Sequence, residues 1–214
     1  LRWHLRQQIF AITTLTLATK KRLWSVRRGC LLLKKNTVKE FLLEGNEKMI
    51  RCQENIILHL QELCYSLVAR ADVNFNDDPQ LKDEDRTKIL DKIVQISKVI
   101  FENGDYNFHY GLMVVVYTHL AAVEVRLKDY DKAFENLHKA LDFAIDADEL
   151  PEREPYISLA VNKLVYDKYE INCSTPTLCC KELLKYLKWS VFDDIRDTEK
   201  FQNIYLKAKE HCDK

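Results

Sequence analysis

From Asn36 onward the apolar residues of this chain recur at intervals of three and four, the spacing of one face of an α-helix. Met49, Ile50, Ile56, Ile57, Leu60, Leu63, Cys64, Leu67, Val68 and Ala71 form one such stripe, which predicts a long helix over about 37–72. Only four glycines and four prolines punctuate 214 residues, too few turn formers for a sheet protein. The expectation is an all-α chain of long helices with few connections. Its length suits one domain with a core of its own, without help from disulfides or metal.

Asp72–Asp85 interrupts the stripe with turn formers and Pro79. Asp72, Asn74 and Asn76 echo a calcium loop, but Asp77 and Asp83 stand where an EF-hand needs Gly and Glu, so an acidic connection is expected. A second helix is predicted over 84–102, with Ile89, Leu90, Ile93, Ile96, Val99 and Ile100 on one side and Gly104 as a left-handed stop. A third, over 107–127, is apolar on most of its circumference, which requires burial between neighbours. Lys128-Asp129 makes a tight link to a fourth, over 130–148. Pro151 and Pro155 mark a break. Shorter helices are expected at 156–165, 176–189 and 197–212, with Thr175-Pro176 as cap and first position of the second of these.

The third and fourth helices make a hairpin of about 34 residues, the period of a tetratricopeptide repeat. With Val114 as first position, Tyr117, Leu120 and Ala121 fall where the repeat takes a large residue, Leu and a small residue. Tyr130, Ala133, Leu137 and Ala140 follow the pattern of its second helix, and DYDKAFENLHKAL (Asp129–Leu141) resembles that helix closely. The small residues let two helices approach, while Tyr117 and Leu137 fill the gap. Glu124 and Ile145 depart from the repeat, standing where Tyr and a closing Pro are common. The resemblance implies antiparallel helical hairpins stacked as a right-handed solenoid, with helices 37–72 and 84–102 covering the faces that one repeat cannot bury. A generic helical bundle is the alternative.

The order of segments over about 47–210, ending in VFDDIRDTEKF (Val191–Phe201), resembles the C-terminal sensor domain of clostridial XRE-family helix-turn-helix regulators. That resemblance implies a binding domain of a transcriptional regulator, with its DNA-binding unit ahead of it. Residues 1–35 show no helix-turn-helix, so DNA binding is assigned to a parent protein; the chain opens on Leu1, and a preceding part is expected. The segment 1–35 holds nine basic and no acidic residues, whereas 36–214 holds 24 basic and 33 acidic ones. It is expected to be a linker or a separate basic arm. Its Lys20–Arg28 run with Trp24 suits phosphate contacts but reads no bases.

In such an array the first helices line a groove. The repeat register places Val115, Thr118, Ala122, Val125 and Arg126 there, a mostly apolar lining with one cation. The lysine and asparagine of carboxylate-clamping repeats are replaced by Thr118 and Ala122. The ligand expected is a peptide or protein partner, including a second copy of the chain; the same residues buried under helix 84–102 or a partner subunit is the competing reading. No catalytic set, cofactor motif or metal-ligand spacing is present: there is no Gly-rich phosphate loop, no H-E-x-x-H and no C-x-x-C. His109 and His119 flank the most apolar helix and read as structural. The seven cysteines are odd in number, and Cys52 and Cys64 fall among apolar residues, which suggests a reducing, cytoplasmic setting. Ile9–Ala18 is an apolar run of ten residues, short of the ~20 a membrane span needs. The reading is a non-catalytic sensor domain; a stand-alone repeat scaffold is the alternative.

Overall fold

A computed structural model describes residues 45–168 and 179–212, apart from 75–77, 79, 103 and 105. The basic segment 1–35, the expected helix start over 37–44, Cys30, Cys173 and the Thr175-Pro176 cap lie outside the described residues. The chain divides by its contacts into two units, Leu1–Arg51 and Cys52–Lys214. The first is described only over 45–51, where it is helical.

The order is α1 (Gly45–Ala71), α2 (Asp83–Ile100), a 3₁₀ turn at Asn107–His109, α3 (Tyr110–Arg126) and α4 (Tyr130–Glu149). There follow two short strands, β1 (Arg153–Pro155) and β2 (Val165–Asp167), then α5 (Cys179–Tyr186), a 3₁₀ turn at Ser190–Phe192, α6 (Asp193–Arg196) and α7 (Glu199–Cys212). The described chain is thus predominantly helical.

Each long helix ends where local chemistry stops it. Asp83, Glu84 and Asp85 place negative charge on the first turn of α2, where the free N–H groups favour it. Asp129 caps α4: its carboxylate accepts from Lys132 N at 3.3 Å. The α3–α4 link is a Schellman turn. Asp129 N donates to Glu124 O (2.9 Å) and Lys128 N to Val125 O (3.0 Å), with Lys128 left-handed at φ 62°. Gly104 is also left-handed, at φ 74°, but it sits in the turn beyond α2, which ends at Phe101 with its N–H on Ser97 O (2.8 Å).

α3 is the central element. All but a few of its side chains are buried, because α2, α4, α5 and the 190–192 turn pack around it. Its contact with α4 is the most extensive in the fold. The core joins Leu90 and Ile93 of α2, Met113 and Leu120 of α3, Leu137 of α4, Leu183 of α5, Phe192, and Phe201 and Ile204 of α7. Burial on this scale, at about 25 cal/mol per Å² of apolar surface, is what holds the helices together.

Two expectations are corrected. Residues 156–165 are not a helix but the connection of an antiparallel ribbon that pairs Arg153 with Asp167, Glu154 with Tyr166 and Pro155 with Val165. Tyr156, Ser158 and Val161 of its connection are buried, Ala160 and Leu164 pack partly against the core, and Ser158 Oγ donates to the Ile100 carbonyl at the end of α2. Gln53 of α1 holds the same connection, donating to Asn162 Oδ1 (3.2 Å) and accepting from Lys163 N (2.7 Å). These tertiary partners override the helical spacing of Val161, Leu164 and Val165. Cys52 is the second correction: it is exposed, whereas Cys64 is buried. No described helix is long and apolar enough to cross a membrane.

Candidate functional site

A cleft of about 420 Å³ opens between α2, α3 and α4. Each helix supplies residues at helical spacing: Thr87, Asp91, Val94 and Lys98 from α2, Tyr117, Leu120 and Glu124 from α3, and Lys132, Glu135, Asn136 and Lys139 from α4. Tyr117, Leu120 and Val94 are buried and make its floor. Three lysines and three carboxylates form its walls. The volume lies within the range of sites that hold small ligands or peptide side chains.

The charges are arranged in pairs above the floor. Lys139 Nζ lies 2.5 Å from Glu135 Oε1 and 5.7 Å from the centre of the Tyr117 ring, a cation–π contact over the floor. Lys132 Nζ pairs with Asp129 at 2.6 Å. Glu124 is buried, and desolvation pushes its carboxyl above the usual range; Lys132 and a hydrogen bond with Thr87 pull it back. Burial likewise raises the Tyr117 phenol, helped by Asp91 and Glu135. A group entering the cleft therefore meets a poorly solvated acid, an aromatic face and lysines of adjustable reach.

No protein-family model, no curated protein and no solved structure matches this chain.

The cleft lies on the side of α3 opposite to the groove residues named from the sequence, since successive helical residues are about 100° apart. On that other side Thr118, Ala122 and Val125 are buried and Val115 is half-buried, so the face is covered rather than open. The C-terminal segment covers it: α5 and the 190–192 turn contact α3, and the Trp189 ring lies 5.0 Å from His119. Arg126 is exposed at the helix end and is bound to Asp83 Oδ2 at 2.9 Å. Thr118 turns its hydroxyl back on the Val114 carbonyl (2.7 Å). Of the repeat-packing residues, Tyr117, Leu120, Ala121, Ala133, Leu137 and Ala140 are buried together, while Tyr130, first in α4, is 37% exposed.

Both internal histidines are structural neighbours of aromatic rings, and neither lines the cleft. His109 meets Phe101 edge-on at 4.9 Å, and burial drops its imidazole pKa to about 4. His119 Nδ1 is 3.9 Å from Asp72, whose charge opposes the downward push of burial. Beside His119 a polar network fixes the start of α2: Arg86 donates to the Asp72 carbonyl (2.9 Å) and pairs with Asp83 (3.4 Å), which also holds Arg126. The sequence reading missed the cleft because its residues come from three helices. Lys132, Glu135, Asn136 and Lys139 at i, i+3, i+4 and i+7 were the only local signal, and it is indistinguishable from a solvated face.

Proposed function

We propose that this chain is a non-catalytic, tetratricopeptide-like binding module of a helix-turn-helix transcriptional regulator, and that it holds a peptide segment of a protein partner in the α2–α3–α4 cleft. The observation that carries this reading is the cleft itself: an aromatic and aliphatic floor under walls of both charge signs. Such a lining suits an extended peptide that offers an apolar side chain flanked by charged ones. The buried register of the α3–α4 hairpin supports the repeat-like reading. The segment order of the chain supports the regulator.

A peptide library displayed on phage and selected against the full chain tests the site. Selected peptides are expected to lose at least tenfold in affinity, or about 1.4 kcal/mol, on the double charge reversal Lys98→Glu/Lys139→Glu. Equal affinity for the reversed protein would place binding elsewhere. A stand-alone scaffold is the other reading of the same cleft. Sequencing the N-terminus of the native protein separates the two: a helix-turn-helix ahead of Leu1 makes this the sensing half of a regulator.

A further inference from the structure

Far from the cleft, the end of α4, the start of α5 and the end of α7 meet. Asp148, Cys180 and His211 each bring one donor atom to this junction, and the three atoms lie within 4.8 Å of one another. Cys180 is wholly buried, and Asp148 and His211 are half-buried. The carboxylate is oriented by the chain. Asp148 Oδ1 accepts from Cys179 N (2.5 Å) and Oδ2 from Cys180 N (2.9 Å), which leaves each oxygen a further lone pair. The Cys180 thiol is hydrogen-bonded to the same carboxylate.

We propose that Asp148, Cys180 and His211 form a binding site for a single divalent transition-metal ion, zinc by ligand chemistry. A thiolate, an imidazole and a carboxylate together are the donor set of zinc, whereas calcium and magnesium take oxygen alone. Tetrahedral bonds of about 2.0–2.3 Å put ligand atoms roughly 3.5 Å apart, so the donors close by at most about 1.3 Å. His211, half-buried in the last turn of α7, has the freedom to do so. The two backbone N–H groups on Asp148 are the outer contacts that hold a metal-bound carboxylate in place.

Binding exchanges one proton and transfers no electron. The metal ion takes the place of the Cys180 thiol proton, which leaves to solvent, and the new sulfur–metal bond replaces the thiol–carboxylate hydrogen bond. The ion ties three segments that are distant in the sequence, which is why no ligand-spacing motif marks it. Solvent completes the fourth position. Cys212, next to His211, and Cys179 both act electrostatically on Cys180 and are the nearby thiols outside the set. The site is independent of the cleft reading and stands or falls separately from it.

Cobalt(II) titration of the full chain, kept reduced and anaerobic, is the test. One equivalent is expected to give tetrahedral ligand-field bands and a thiolate-to-cobalt charge-transfer band, both displaced by zinc. His211→Ala is expected to fold, with the circular dichroism of the metal-free parent, and to weaken zinc by more than the roughly 10–100-fold that loss of a merely supporting group costs. Cys180→Ser is expected to lose the charge-transfer band; if that variant does not fold, His211→Ala decides. Absence of the bands, or zinc affinity unchanged in His211→Ala, would overturn the proposal.

Discussion

Ala133→Glu probes the helix contact on which the α3–α4 hairpin depends. Ala133 is fully buried in the first turns of α4, and Leu137 and Ala140 continue the same buried face. A carboxylate placed there loses its hydration and finds no cation, because Lys132 and Lys139 project into the cleft. An uncompensated buried charge costs about 3–5 kcal/mol. That is a large part of the 5–15 kcal/mol typical of a domain, and it lowers the melting temperature by roughly 6–20 °C at this chain length. Size contributes too, so Ala133→Leu is the control: overpacking alone costs about 1–3 kcal/mol and does not depend on pH. The introduced carboxylate has a folded-state pKa raised above its unfolded value. Its penalty, measured against the parent, therefore shrinks as pH falls through that raised value toward about 4.3. Urea titrations of the three proteins between pH 4.5 and pH 8, values set by about that range, read both effects. A Glu variant no less stable than the Leu variant, with a pH-independent deficit, would refute the close approach of α3 and α4 at Ala133.

Four further outcomes follow from named groups. His109 has a pKa of about 4 in the fold against 6.5 unfolded, so the unfolded chain binds more protons between those values; stability falls as pH drops from 6.5 to 4, by about 3 kcal/mol, and His109→Phe should flatten that part of a urea-denaturation profile. Lys128 holds a left-handed backbone at φ 62°, so Lys128→Gly should stabilise the chain by about 0.5–1 kcal/mol, read as a higher melting temperature; a loss would mean that the Schellman turn is not formed. Lys98→Glu/Lys139→Glu should abolish most of the affinity for cleft-selected peptides while leaving the melting temperature within a few degrees, since Lys98 is exposed and a partly exposed ion pair such as Lys139–Glu135 contributes little to stability. Zinc should raise the melting temperature of the parent and leave that of His211→Ala unchanged, as scanning calorimetry would show.

The helices were legible because burial repeats with the helical period. The stripes on α2 and α4, the all-round apolar surface of α3 and the Lys128-Asp129 link each name their element within a few residues, since propensity, periodicity and capping agree there. The 156–165 segment misled because its apolar spacing is helical, while its backbone bonds run across a hairpin to β1 and out to the distant Gln53, neither of which that spacing reveals. The groove face of α3 misled for a related reason. A repeat register states which side of a helix its neighbours in the hairpin leave open; it does not state that Trp189 and α5 return to cover it.

The sequence by itself determined a predominantly helical body, the hairpin at its centre and the residues that pack it, because those depend on contacts three and four residues apart or across one tight turn. Tertiary structure alone decided which side of α3 is open, that three helices join their polar faces into one cleft, and that Asp148, Cys180 and His211 converge. Each of these depends on where the C-terminal helices dock, and docking is fixed by the fit of whole buried surfaces rather than by any local pattern.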